Sequence, residues 1–528
     1  MATPANTPAD LSAALVLSAP PLADWLVVLP VALMIGLGAV LMMVRKSVRL
    51  HGGIAIAGLV MLVLLDAGLL WRVSVHGPVT MVMGRWLPPF GIAFTADLFG
   101  AVMALSAAIA ALAAGIFALW DIDASGRRYG FYPFLMLLMA GVTGAFLTGD
   151  IFNLYVWFEV LLISSFGLLI LGSQPEQIDG ALKYAILNLI GTTLFLIAVG
   201  ALYAIFGTLN MADIARKAAG LRETAPLTGL TALFILAFAM KAAAFPVNFW
   251  LPASYHTPRV TVSALFGGLL TKIGIYALIR VAIMLFPVER EALSLVVAIS
   301  AVLTMLVGAF GALAQNDIRR LVGYLVIAGI GNMLAGVAIG TPAAVSGAIL
   351  YALHSVVTMT ALYLVAGQAG RLGGTWSLTG LGGLYRRAPW FSAAAFLLFL
   401  AASGLPPLSG LWPKVALLKA SLDIGAWWLA AAILVSAFLI TLALARVFLL
   451  AFWRPGPEIG TEVADAGESQ AADPVDWRIA LPLGGLTVLT VLFGLMPEPL
   501  LDLSQTAAAG LAEPAAYIHS VFGGGTAR

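Results

Sequence analysis

Residues 238–272 read FAMKAAAFPVNFWLPASYHTPRVTVSALFGGLLTK. Two lysines, Lys241 and Lys272, each sit inside an otherwise apolar helical run, and Pro246, Pro252, Pro258 and the lone His256 lie between them. A lysine at the centre of a membrane span costs roughly 2.5–3.5 kcal/mol on insertion scales. A proline in such a span removes a backbone donor and frees the carbonyl four residues earlier. Both penalties fall in one short region, which points to a polar, hydrated path through a membrane domain. The plainer reading is a lysine snorkelling near a helix end beside an ordinary helix-stop proline.

Composition decides between a membrane and a soluble setting. Of 528 residues, 62% are hydrophobic and only 10% charged, too apolar for a soluble domain. The apolar runs are continuous and not alternating, so they predict helices and not a barrel, each about 20 residues long to cross the hydrocarbon. A net charge of +2 gives no sign of a nucleic-acid partner. The absence of cysteine excludes disulfides, thiolate-held clusters and cysteine nucleophiles. No basic stretch opens MATPANTPAD, so no cleaved signal peptide is expected. No phosphate loop, no His pair at helical spacing and no metal cage is legible, so no cofactor and no metal is expected.

Working outward, the hydropathy pattern predicts an all-α polytopic membrane protein of about fourteen spans. Arg72–Asp97 reads as an extramembrane hairpin or loop, and Asn210–Pro226 as a short amphipathic surface helix. Gly456–Asp476 is an acidic, polar loop, and the Ala-rich tail after Pro497 reads as an interfacial helix. Loops after odd-numbered spans carry most of the basic residues, Arg127, Arg259, Arg319, Arg371 and Arg454 among them. These loops are therefore expected in the cytoplasm, with both termini outside. The charged linker after the sixth span runs against that pattern.

An internal echo suggests repetition. FPVNFWLP (Phe245–Pro252) in the seventh span and LPPLSGLWPK (Leu405–Lys414) in the twelfth both place proline in mid-run, then tryptophan, then proline. An odd number of spans separates them, so the two units would be inverted in the membrane, and paired interrupted segments of this kind point to a transport site. Chance similarity between two Pro- and Trp-containing apolar stretches is the competing account.

Five ionisable groups fall within predicted spans or at their edges: Glu159, Lys241, Lys272, His354 and Lys414. Left in lipid they would cost on the order of 10 kcal/mol, so they must face inward and be paired or hydrated. Burial lowers the proton affinity of a lysine and a neighbouring carboxylate raises it again, so such a set can take up and release protons near neutrality. Histidine titrates there already and can bridge two lysines. Each also has an ordinary reading: Glu159 as a structural partner, Lys272 as a snorkeller, His354 as a hydrogen-bonded core histidine, Lys414 as an interface anchor. Lys183 and Lys419 read as interfacial, Asp317–Arg319–Arg320 as a cytoplasmic turn, and Asp66, Asp97 and Asp150 as caps or mouth residues near span ends.

Several stretches together resemble one family. These are GDIFNLYVWFEVLLISSFGLL (Gly149–Leu169), the opening stretch with ALFGGLLTKIGIYALIR, QNDIRRLVGYLVIAGIGNM and SGLPPLSGLWPK. They are similar to the proton-translocating antiporter-like family, which holds large membrane subunits of respiratory complex I, membrane-bound hydrogenases and Mrp-type cation/proton antiporters. The likeness covers roughly Leu98 to Phe452 and is strongest to the D-type Mrp subunits. It implies fourteen core helices, with two inverted five-helix repeats at spans four to eight and nine to thirteen and broken helices at spans seven and twelve. The expected division is residues 1–130 for the first three spans, 131–288 and 289–453 for the repeats, and 454–528 for the loop, last span and tail. It also implies that Glu159, Lys241, Lys272, His354 and Lys414 occupy the family's proton path. In some relatives the last position is a glutamate, which leaves open whether Lys414 relays protons or lets them out.

The function implied is proton translocation coupled to sodium or another monovalent cation, in a multisubunit antiporter of the bacterial cell membrane. The alternative is a proton-pumping subunit of a complex I or hydrogenase membrane arm; a third class is a passive scaffold. Three geometric expectations follow. Glu159 and Lys241 should lie within a few ångströms as an ion pair. Spans seven and twelve should break near Pro246 and Pro406–Pro407, freeing carbonyls near Ala242 and Ala402–Ser403. Lys241, Lys272, His354 and Lys414 should form a file linked by water. No carboxylate cage for sodium is legible, so cation coupling would need acids from neighbouring subunits.

Overall fold

The computed structural model describes residues 15–16, 20–456 and 476–523. Apart from one small sheet, the regular structure is helical. Ten helices are long and apolar enough to cross a membrane, and they stand at predicted spans two, three, five, six, eight to eleven, thirteen and fourteen. These are α2 (Val48–His76), α3 (Leu98–Asp121), α5 (Ile151–Leu169), α6 (Pro175–Phe206), α8 (Val260–Leu285), α9 (Ser294–Ala314), α10 (Ile318–Ile339), α11 (Pro342–Gly373), α13 (Trp427–Trp453) and α14 (Trp477–Leu495). Four shorter apolar helices occupy the remaining positions: α1 (Leu29–Met43), α4 (Phe131–Leu147), α7a (Leu227–Ala242) and α12a (Pro389–Ser403). The last two are continued by α7b (Trp250–Ser254) and α12b (Leu411–Asp423).

The ends of these helices are written in local chemistry. Asp97 accepts from the Gly100 N–H, Asp150 from Asn153 and Asp317 from Arg319, so each caps the helix that follows it. Gly207, Gly340 and Gly374 close α6, α10 and α11 in left-handed backbone. Arg72–Asp97 contains the end of α2 and an antiparallel hairpin, β1 (Val79–Val82) with β2 (Ala93–Ala96). The linker after α6 forms the surface helix Met211–Leu221, whose buried Asp213 is paired with exposed Arg216 and Lys217. Lys183 and Lys419 make exposed ion pairs with Asp179 and Asp423, as interfacial lysines would.

Helices α8 and α11 are enclosed on every side, and α10 nearly so. By contrast, α2, α6 and α13 turn most of their surface outward. That surface is apolar, with Val60, Leu189 and Phe438 exposed, as lipid-facing helices require. The tail forms two helices, Glu498–Ala512 and Ala515–Phe522, which pack on α11, α3, the outer end of α8 and the Met211–Leu221 helix. Tyr517 from the tail stacks on Arg280, which is bound through two hydrogen bonds to Asp97. Asp97 is thus cap and ion-pair partner at once. The Gly456–Asp476 loop, its end residues apart, lies outside the described residues.

One expectation fails here. Asp66 is neither a cap nor a mouth residue: α2 runs on to His76, which leaves Asp66 well inside the helix, fully buried, with neither carboxylate oxygen hydrogen-bonded. The apolar run ends at Leu70, but Trp71–His76 continue the helix with polar residues facing outward.

Candidate functional site

Both predicted breaks are present and built alike. Helix α7a ends at Ala242; Ala243 takes a left-handed conformation, and a cis Phe245–Pro246 bond follows before α7b. Helix α12a ends at Ser403; Gly404 is left-handed, and a cis Pro406–Pro407 bond precedes α12b. A chain that leaves a helix inside the membrane must satisfy the backbone groups it frees.

At the first break this is done by neutral donors and acceptors. The Phe245 N–H donates to Thr304 Oγ1 at 2.9 Å, and Ser300 donates to the Phe245 carbonyl at 2.8 Å, both from α9. The Trp250 indole N–H reaches the Met240 carbonyl at 3.2 Å. At the second break the work falls to an ion. The Lys414 ammonium donates to the Ala402 carbonyl at 3.1 Å and to that of Ser403 at 2.6 Å, the carbonyls expected to be free.

Four of the five expected residues are buried, and Glu159 is half-buried. Lys241, Lys272, His354 and Lys414 are 6%, 0%, 3% and 7% exposed. Lys272 lies just after a π-helical turn, Phe266–Leu270, and its ammonium bonds the Gly267 carbonyl at 2.5 Å. Such turns widen the helix by one residue and recur at functional positions. His354 Nδ1 meets Ser409 Oγ at 2.8 Å and Thr358 Oγ1 at 3.2 Å, and the ring is within electrostatic reach of both Lys414 and Lys272. Lys272, His354 and Lys414 are thereby brought together on α8, α11 and α12b.

Lys241 stands apart. Glu159 is the charge that acts on it, yet no ion pair joins the two among the described residues. The Lys241 ammonium and Glu159 Oε1 are both buried without a hydrogen-bond partner. The expected closed pair is therefore not formed. Glu159 still lies near enough to act on the Lys241 charge, and the Phe158 ring centroid lies 5.7 Å from the Lys241 nitrogen. Glu159, the next residue on α5, is turned about 100° further round the helix. The backbone of Lys241 and Ala242 lies against Gly274 on α8, where an added Cβ would be 2.8 Å from the Ala242 nitrogen. No hydrogen bond links Lys241 to Lys272 among the described residues.

Some contributors escaped the sequence reading. Ser409 was inside the quoted LPPLSGLWPK stretch and is the partner of His354; a polar residue between two prolines was the available signal. Thr304 and Ser300, which satisfy the first break, gave none. On the face that carries Arg259, Arg319 and Arg371, a cavity of about 1180 Å³ opens between the ends of α3, α5, α8 and α11. Beside it lies a second, of about 710 Å³, lined by His256, Asp317, Arg319 and Arg320. Asp317 and Arg319 form the helix-start turn expected of them, and Arg320 donates to His256.

Comparison with known proteins agrees with this architecture. Residues 148–441 match the family described as NADH:quinone oxidoreductase/Mrp antiporter, transmembrane. The chain is 38% identical over 496 residues to the D-type subunit of the Na+/H+ antiporter of Alkalihalophilus pseudofirmus, covering 94% of this chain and 99% of that one. Its fold is similar to a chain in the Mrp complex of a Dietzia species, with a TM-score of 0.86 and 30% identity over 95% of this chain and 100% of the other. A chain of an archaeal respiratory complex, the membrane-bound sulfane sulfur reductase, gives a TM-score of 0.85 at 25% identity, over 94% and 99% of the two chains.

Proposed function

The chain belongs to the NADH:quinone oxidoreductase/Mrp antiporter transmembrane family, and from that premise we propose that it is the proton-translocating subunit of a multisubunit Na+/H+ antiporter. One observation carries the reading: three buried lysines and a buried histidine sit on four different helices, two of them broken beside the charged groups. Buried ionisable groups of a membrane domain are retained for charge movement, because lipid makes them costly otherwise.

Protons enter from the Arg-rich face, which we assign to the cytoplasm, through the cavity at Arg319 and reach Lys272. They pass by way of His354 to Lys414, each transfer needing hydrogen-bond reach directly or through water. Lys241, with Glu159 as its electrostatic partner, sets the charge state at the other end of the file. The five-helix units 131–288 and 289–453 act as inverted halves around it. The coupled cation and its acidic ligands are assigned to neighbouring subunits, a division supported by the likeness to subunits of multisubunit antiporter complexes. The likeness to a respiratory complex subunit supports a second reading, a redox-driven membrane arm, that differs in partner and not in local chemistry.

The test is proton uptake into vesicles holding the whole complex. Lys241→Ala and Lys272→Ala should each abolish sodium-dependent uptake while the complex still assembles. Unchanged uptake in both would reduce the chain to a scaffold.

A further inference from the structure

Two tyrosines lie between the Arg319 cavity and Lys272 and belong to none of the roles above. Tyr255 follows α7b, and Tyr363 is in α11; both are fully buried, and neither hydroxyl has a hydrogen-bond partner. Tyr184, packed among the same rings, is satisfied by Ser165 Oγ at 2.9 Å. The Tyr255 and Tyr363 hydroxyls lack such a partner. The Ser254 hydroxyl beside them is also buried and unpartnered. Buried hydroxyls without protein partners are sites for ordered water.

Their placement is directional. Tyr363 is within electrostatic reach of Asp317 and Arg319, which line the cavity, and Tyr255 is within reach of Tyr363 and Tyr184. One turn from Tyr363 on the same helix, Gly367 lines the larger cavity. At its other side the Tyr363 ring lies on Gly267: a Cβ there would be 2.3 Å from Tyr363 Cε2. Gly267 is the residue whose carbonyl holds the Lys272 ammonium. The Tyr255 ring packs 5.4 Å from Phe266, the first residue of the same π-turn. The tyrosines thus bridge the cavity wall and the carbonyl that positions Lys272.

We propose that the hydroxyls of Tyr255 and Tyr363 hold a hydrated gate through which protons pass from the Arg319 cavity to Lys272. This inference rests on the proton-translocation reading above. In each transfer a phenol accepts a proton from water on the cavity side as it gives its own to water on the Lys272 side, so neither tyrosine changes its charge. The charged and titratable groups around the gate are Asp317 and Arg319 at the start of α10, Tyr184 on α6, His256 beside α7b, Lys272 on α8 and His354 further along α11.

The experiment uses the whole complex in vesicles oriented so that the Arg-rich face is reached from the bath. Wild type, Tyr255→Phe, Tyr363→Phe, the double variant and Lys272→Ala are compared across bath pH. The double variant should take up protons at least tenfold more slowly at pH 8.5, and the deficit should shrink steadily as bath pH falls, because supply through the gate has become limiting. A variant that merely disturbs packing would show the same deficit at every pH, and that result would overturn the gate. So would full-speed uptake by the double variant while Lys272→Ala is inactive, an outcome that leaves the translocation reading standing. Wild-type uptake by Lys272→Ala removes both. If the double variant fails to assemble, the single variants carry the same comparison, with the same pH-dependent deficit expected at smaller size.

Discussion

The two broken helices are near copies in backbone and opposites in chemistry. Each runs helix, left-handed residue, cis proline, half-helix. In the first, the lysine stands before the break, has no hydrogen-bond partner, and leaves the freed backbone to Thr304, Ser300 and Trp250. In the second, the lysine stands after the break and is itself the group that satisfies the freed carbonyls. Interrupting a membrane helix creates a demand for donors, and a protein can meet it with neutral groups or with an ion. Neutral donors leave the break indifferent to proton transfer. An ionic donor ties the structure of the break to the charge state of Lys414. On the proposed reading, Lys241 is the free, modulating charge, and Lys414 is the charge whose loss of a proton weakens its hold on the carbonyls of its own broken helix.

The largest expected effects separate these roles. Lys241→Met and Lys414→Met should each slow proton uptake by about a hundredfold or more, the size expected for loss of a proton-transfer group. Only Lys414→Met should also destabilise the protein, by about 1–3 kcal/mol for each carbonyl left bare. Thermal unfolding of the detergent-solubilised complex reads this directly, and equal losses of stability in the two variants would end the distinction.

Next in size is the left-handed residue. At Gly404 an added Cβ would fall 2.6 Å from Lys414 Cδ, with φ at 83°. Gly404→Ala should cost about 1–3 kcal/mol, as overpacking a filled site does. Ala243 already carries its Cβ at φ 60°, so Ala243→Gly should relieve backbone strain and change stability by no more than about 1 kcal/mol in either direction. A destabilised Ala243→Gly would show that the methyl is needed for packing.

Thr304→Val removes the acceptor for the Phe245 N–H and should cost about 1 kcal/mol in the same unfolding assay, with proton uptake kept. A loss of uptake there would make the first break as sensitive to its donors as the second.

A further effect is at His256, just beyond the first break. Its Nδ1–H donates to the Pro252 carbonyl and its Nε2 accepts from Arg320, so the ring is neutral. Burial, followed by the charge of Arg320, holds it at about 4, below its ordinary 6.5. The folded protein then binds fewer protons than the unfolded chain in that interval, so stability is present above pH 6.5 and is lost as pH falls from there towards 4. His256→Gln should flatten that part of the stability-versus-pH curve; an unchanged slope would place the titration elsewhere.

Much of this molecule was readable in the chain. Spans follow from continuous apolar runs because lipid demands helices with all backbone groups satisfied, and the breaks follow from mid-span prolines that lack a backbone donor. Lys241, Lys272, His354 and Lys414 stand out because charge is rare in such runs, and all four are buried. Only the tertiary structure decided who meets whom. Lys414 turns back to carbonyls of the preceding half-helix, Lys241 and Glu159 Oε1 are buried without hydrogen-bond partners, and Asp66 is enclosed without a partner. Hydropathy is a property of each residue in turn, so the sequence carries it whole. Hydrogen bonding and charge pairing depend on the rotation of one helix against another, which packing across residues far apart in the chain determines.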